Sequence, residues 1–117
     1  MSSDSLLIKQ KTTDKILNFR NERNWSQFHN PKDLAISISL ESAELLECFQ
    51  WSGSDTEVTS KLEEMKEELG DIFIYSILLA DRLKINLDEV IQAKIAKNAE
   101  KYPIEKSFGN SSKYTQI

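Results

Sequence analysis

The chain has 117 residues, 39% of them hydrophobic and 29% charged, which fits one globular domain with one core. A net charge of −4 without any basic block argues against sequence-independent nucleic-acid binding, which needs lysines and arginines against phosphates. The single cysteine excludes an intrachain disulfide and suits a reducing cytoplasm.

The N-terminus is polar and lacks the apolar stretch of a signal peptide. The longest apolar run, Ile72 to Ala80, falls far short of the roughly 20 residues a membrane span needs. With three glycines, two prolines and no strand-like alternation, the chain reads as all-α, a four-helix bundle. It is expected to be one domain over 1–117, with a core over about 5–103 and a polar tail over 104–117.

The first helix is expected from about Ser5 to Asn24, with Leu6, Ile16, Leu17 and Phe19 on its apolar face. A loop follows, Trp25-Ser26-Gln27-Phe28-His29-Asn30, rich in aromatics for a mere connector. Asn30-Pro31-Lys32-Asp33 is a helix start: Asn30 caps, Pro31 fits the first helical position, and Asp33 favours the positive end. The second helix is expected over Pro31 to Gln50. Leu34, Ile38, Glu41, Leu45 and Phe49 fall on one stripe of it. Cys48 lies in this apolar pattern and reads as a small core residue.

After a loop holding Gly53, a third helix is expected from Thr56 to Leu83, acidic first and apolar nearly all round from Ile72. Its second half should therefore be contacted from several sides, and Gly70 within it suggests a close helix–helix approach. Asn86 and Glu89 form a capping-box-like start for a fourth helix. Ile91, Ile95, Asn98 and Tyr102 share one face of that helix, and Pro103 ends it. The tail is expected to be mobile or to pack on a partner subunit.

Two carboxylate pairs carry the chemistry. Glu41 and Glu44 lie three residues apart on the second helix, and Glu68 and Asp71 on the third. That spacing stacks side chains on one helical face. Glu63, Glu64 and Glu67 read as a solvated acidic face. Glu41 and Glu44 do not, because they sit among apolar residues, where an unpaired carboxylate costs several kcal/mol, and the apolar segment from Ile72 weakens that reading for Glu68 and Asp71. Four carboxylates on facing helices would repel one another unless cations sit between them. The only histidine, His29, stands outside any Glu-x-x-His pattern. An all-oxygen site suits Mg²⁺, with Mn²⁺ as a substitute, and Mg²⁺ held by carboxylates binds substrate phosphates.

The aromatic residues Trp25, Phe28, His29 and Trp51 suit either the flat face of a nucleobase or a hydrophobic cap over the bundle end. Lys94, Asn98 and Tyr75 are polar groups on apolar faces. Each alone reads as a snorkelling or satisfied core residue. Together they would offer a phosphate counter-charge and hydrogen-bonding groups.

Four blocks in order are similar to one family: Trp25-x-Gln27-Phe28-His29-x-Pro31, Glu44-Leu45-x-Glu47-x-Phe49-Gln50-Trp51, Glu67-Glu68-Leu69-x-Asp71-x-x-x-Tyr75 and Lys94-x-x-x-Asn98-x-x-x-Tyr102-Pro103. The chain resembles the MazG-like, all-α nucleoside triphosphate pyrophosphatases, in particular their dCTP pyrophosphatase branch. The resemblance covers about Phe19 to Pro103 and includes the Glu-x-x-Glu and Glu-x-x-Asp pattern of the family.

The resemblance implies Mg²⁺ at Glu41, Glu44, Glu68 and Asp71. It implies that the Trp25 to His29 loop, Trp51 and Tyr75 hold the nucleotide, with Lys94 and Asn98 near phosphates and sugar and Tyr102 among the substrate-binding residues. It implies cleavage between the α and β phosphates, and homodimers or homotetramers with sites formed partly across subunits. Glu44 and Glu47 are both candidates for the base that takes a proton from the attacking water. Two alternatives stand beside this expectation: a non-catalytic helical dimer that binds nucleotide or protein, and a related all-α dUTPase activity. No membrane or nucleic-acid partner is expected.

Overall fold

A computed structural model describes residues 8–116, and the regular structure among them is helical throughout. Five α-helices follow in chain order: α1 Gln10–Glu22, α2 Pro31–Glu47, α3 Leu62–Leu83, α4 Leu87–Lys101 and the short α5 Ile104–Ser107. Turns of 3-10 helix lie at Trp25–Phe28, Thr59–Lys61 and Tyr114–Gln116. The chain divides into two compact units, one ending at Lys84 and one beginning at Ile85. No helix among the described residues is long and apolar enough to cross a membrane.

In the first unit, α2 starts as its sequence predicts. The Asn30 side chain accepts the Asp33 N–H at 2.8 Å, and Pro31 takes the first helical position. The helix ends at Glu47 rather than at Gln50. From Cys48 on, each N–H donates three residues back, to Leu45, Leu46 and Glu47, which tightens the chain into turns.

The third helix also begins later than predicted, at Leu62 instead of Thr56. The Asp55 carboxylate accepts the N–H groups of Glu57 and Val58, both at 3.1 Å. Those two bonds hold the Asp55 carboxyl below the usual carboxylate range. Val58 is left-handed at φ 45°, a conformation no right-handed helix can continue through. The predicted start of α1 at Ser5, and the predicted core role of Leu6, fall outside the described residues; the helix itself begins at Gln10.

Helices α2 and α3 pack along each other, and α1 packs onto α3. Leu34, Cys48, Val58, Ile77, Leu78 and Ala80 are the buried apolar residues. Cys48 is thus the core residue the sequence suggested. Leu40, Leu46, Leu69, Phe73 and Ile74 stay exposed on α2 and α3. The second half of α3 is therefore covered by the described residues on only part of its circumference.

Gly70 corrects a further expectation. A Cβ added there would meet nothing within 4 Å, so no close helix approach in this chain accounts for it. Its φ is ordinary for a helix, and only its low helix propensity remains. Gly70→Ala is expected to stabilise the isolated chain by about 1 kcal/mol, read from the urea midpoint. A fall in stability that disappears on dilution would instead place a second chain against Gly70.

In the second unit, the Asn86 side chain accepts the Glu89 N–H at 3.2 Å and caps α4. Ile91 and Ile95 are exposed along that helix. The polar tail holds more structure than its composition suggests. It forms α5, and Tyr114 meets the edge of Tyr102 with ring centroids 6.0 Å apart.

Candidate functional site

Glu41 and Glu44 project from α2 and Glu68 from α3. Each offers one carboxylate oxygen, and these atoms lie within 4.8 Å of one another. Glu41 and Glu68 are half-buried, and Glu44 is exposed. One oxygen of Glu41 and one of Glu68 are buried without a hydrogen-bond partner. Buried polar atoms are rarely left so, because each forfeits the hydration it had in water.

The cluster raises the proton affinity of its members. Glu68 is pushed up to about 7, first by its contact with Glu44, then by loss of hydration and the charges of Glu44 and Glu41. Glu41 is raised by loss of hydration first, then by its contact with Glu44 and the charge of Asp71. A site that must retain a proton to offset crowded carboxylates is one where a cation can take the proton's place. The donors are all oxygens, and two of them are unpartnered. They fit a hard divalent cation.

Asp71 stands apart from this three-way group. It is half-buried, acts on Glu41 through its charge, and lines a neighbouring cavity. On the other side, Glu44, Glu47 and Glu68 border an acidic cavity of about 350 Å³ into which Lys61 also faces. Glu47 is exposed and is not part of the three-carboxylate group. Glu64 and Glu67, predicted to be solvated, are exposed on the rim of this cavity.

The cavity that Asp71 borders has a volume of about 390 Å³ and apolar walls. Ile16 and Phe19 of α1 form one wall, Ile74, Tyr75 and Leu78 of α3 another, and Trp25 and His29 close an end. The 3-10 turn sets that end. Asn24 enters it left-handed at φ 54°, a conformation asparagine tolerates, and turns Trp25 back towards α1. Trp25 meets Phe19 edge-on with centroids 5.7 Å apart, and His29 with centroids 6.5 Å apart. The Arg23 guanidinium covers Phe19, 3.6 Å from the ring centroid. His29 Nδ1 is buried without a partner, and burial, aided by the charge of Arg20, holds this imidazole below its ordinary pKa.

Among the aromatic residues singled out from the sequence, Trp25, His29 and Tyr75 thus share one cavity. Phe28 does not line it and is exposed. Trp51 does not line it either. It is 92% exposed and left-handed, at φ 66°. A bulky residue in that conformation is strained, and strain of this kind clusters at binding sites. Lys94, Asn98 and Tyr102 belong to the second unit. They lie at four-residue intervals along α4 and its C-cap, and the Tyr102 N–H donates to the Asn98 carbonyl at 2.8 Å.

Sequence reasoning passed over Arg20 and Asp81. They form an ion pair of 2.7 Å between α1 and α3, and Arg20 lines the aromatic cavity. A signal existed: Arg20 lies four residues from Ile16, on the apolar side of α1, as Glu41 does on α2.

A MazG-like family model matches residues 36–117. The dCTP pyrophosphatase 1 of Mus musculus is 37% identical over 105 residues, which is 85% of this chain and 61% of the relative. The dCTP pyrophosphatase 1 of Homo sapiens is 34% identical over 104 residues, again 85% of this chain and 61% of the relative. The chain thus spans less than two thirds of the length of these relatives. A solved structure of a pyrophosphatase from Archaeoglobus fulgidus DSM 4304 is similar with a TM-score of 0.74 and 44% identity, covering 80% of this chain and 91% of that one.

Proposed function

This chain belongs to the MazG-like family, and we propose that it is a Mg²⁺-dependent nucleoside triphosphate pyrophosphohydrolase acting on dCTP or a related nucleotide. The observation that carries the reading is a three-carboxylate cluster with two unpartnered oxygens, beside an aromatic-walled cavity that Asp71 borders. The proposal assigns Glu41, Glu44, Glu68 and Asp71 to the cation, with Mn²⁺ as a working substitute. When bound, the cation supplies positive charge against the triphosphate and lowers the pKa of the attacking water.

The chain's own groups supply the rest. The cavity of Phe19, Trp25 and Tyr75 takes the flat base, and its neighbouring carboxylates set where the phosphates lie. Glu44 or Glu47, both exposed to solvent, takes the proton of the attacking water. Water adds to the α-phosphorus, the bond from that phosphorus to the α–β bridging oxygen breaks, and the bridging oxygen leaves with pyrophosphate. Lys94 and Asn98 keep the phosphate and sugar roles that the resemblance implies, Tyr102 its place among the substrate-binding residues, and Phe28 a supporting role at the base. The activity would serve to clear or balance nucleotide pools in the cytoplasm.

The proposal includes assembly into a homodimer or homotetramer. The exposed apolar residues Leu40, Leu46, Leu69 and Phe73 support it, since a lone chain would leave them wet. In such an assembly the exposed, strained Trp51 would complete the base site of another protomer. Trp25→Ala is expected to raise KM roughly five- to hundredfold, with a smaller effect on kcat, as loss of one stacking face does.

The test of the function is release of pyrophosphate from a panel of deoxy- and ribonucleoside triphosphates and modified cytosine nucleotides, with Mg²⁺ and with EDTA. Mg²⁺-dependent pyrophosphate release is the expected result. Orthophosphate release would move the point of cleavage, and a folded but silent protein would leave a nucleotide- or protein-binding module.

A further inference from the structure

We propose that Arg20, held by Asp81, is the specificity-determining donor of the aromatic cavity and selects bases that carry a ring carbonyl oxygen. This inference rests on the cavity being the base site of the proposed enzyme. Its starting point is a charge placed where an apolar wall would be expected. The Arg20 side chain is only 13% exposed and lines the cavity together with Ile16, Phe19, Tyr75 and Leu78, whereas the cavity's other cation, Lys15, is exposed, and Asp71 borders it as a carboxylate. Burying a guanidinium against such walls costs stability unless its donors are used.

Its donors are only partly used by the protein. Nη1 donates to Asp81 Oδ2 at 2.7 Å, and Nε donates to Asn21 Oδ1 at 3.0 Å. A guanidinium carries five N–H donors. Two of the five are engaged among the described residues, and three are left on the two terminal nitrogens. Asp81 is itself 42% exposed, so the pair is not a closed, dry ion pair that would account for the buried cation by itself. It fixes the guanidinium through Nη1, and Nη2 has no partner among the described residues. A planar fork fixed in this way is suited to accept-only atoms in the plane of a flat ring held between apolar walls.

The chemistry separates adenine from the other common bases. Cytosine, uracil or thymine, and guanine each carry at least one exocyclic carbonyl oxygen, which accepts from an N–H. Adenine carries none: its acceptors are ring nitrogens alone, and its exocyclic group is a donor that would face the guanidinium donors. A site built to hydrogen-bond one group rejects a ligand lacking it, because the site's own polar atoms are then left unpaired. Arg20 therefore acts on base choice. Asp81 acts through Arg20 and is a positioning residue.

The simpler reading is a clamp: the ion pair ties α1 to α3 and nothing more. The two readings differ in what they do to the ratio of substrates. The measurement is kcat/KM for dCTP, dUTP, dGTP and dATP with wild type, Arg20→Met, Arg20→Lys and Asp81→Asn. We expect wild type to disfavour dATP, and Arg20→Met to reduce the dCTP-to-dATP ratio roughly tenfold or more, the discrimination one good guanidinium–base contact provides. Arg20→Lys keeps a donor and should retain part of the ratio. Asp81→Asn should lower the ratio less than Arg20→Met.

Equal loss on all four substrates, or a wild type that accepts dATP as well as the others, overturns the inference. If no nucleotide is turned over, the proposed function fails, and binding of the same four nucleotides followed by thermal shift decides this inference separately. A preference for carbonyl-bearing bases that Arg20→Met abolishes then supports it, and equal shifts overturn it.

Discussion

Glu41→Gln is expected to abolish pyrophosphate release while leaving the fold intact. The amide keeps the size and shape of the side chain and removes its charge. In the metal-free protein that removal is favourable, because Glu41 sits among Glu44, Glu68 and Asp71 and its proton affinity is already raised by them. The variant should therefore melt no lower than wild type in EDTA. In Mg²⁺ the order should reverse, since wild type gains a ligand-bound state that the variant has weakened. Turnover should fall by at least about a hundredfold, the lower end of what a positioned carboxylate contributes to such chemistry.

The combination is diagnostic. A carboxylate retained for structure would give a less stable variant, and a bystander would give wild-type turnover; either result would remove Glu41 from the site. Glu41→Leu extends the test. If the chain were only a scaffold, leucine on this stripe would raise stability under all conditions. If Glu41 holds a cation, leucine raises stability in EDTA alone.

Glu41 shows what could be read without coordinates. A carboxylate on the stripe of Leu34, Ile38 and Leu45 stands out by period alone, and the three-residue spacing of Glu41 and Glu44 puts both on one helical face. The all-helical class was legible for the same reason, as were the caps at Asn30 and Asn86, each confirmed by a side-chain hydrogen bond. The late start of α3 was not. Asp55 holds Glu57 and Val58 in a turn, and local competition of this kind leaves no period to read.

Pairings distant in sequence were equally hidden. Arg20 and Asp81 are separated by 61 positions, and no local pattern says that one faces the other. Gly70 was misread because a helical glycine has two explanations, close approach or none, and only the surrounding space decides. Trp51 stands out in the sequence only as an aromatic residue, and its exposure and left-handed backbone are facts of three dimensions.

The largest effect of conditions is expected from the metal and pH together. Glu68 is raised to about 7 and Glu41 is raised as well, whereas both titrate near the ordinary glutamate value of 4.5 when unfolded. Between those values the folded chain binds more protons than the unfolded one. Stability from this cluster is therefore complete at low pH and is lost as pH rises through about 7. His29 runs the other way. Its pKa is lowered on folding, so the unfolded chain binds its proton more readily, and its contribution grows as pH rises. A melting curve in EDTA alone therefore mixes two opposing slopes.

The difference between melts in Mg²⁺ and in EDTA isolates the cluster, because His29 is not part of it and contributes equally to both. A cation at one hundred times its dissociation constant adds about 2.7 kcal/mol, or roughly 10 °C in Tm for a domain of this size. That gain should be small near pH 5, where protons compete for the same oxygens, and should grow to a plateau above about pH 7. Glu68→Gln should weaken the gain and flatten its pH dependence. A Mg²⁺ shift that is the same at pH 5.5 and pH 8 would mean that the cation binds elsewhere and that the three carboxylates share only protons.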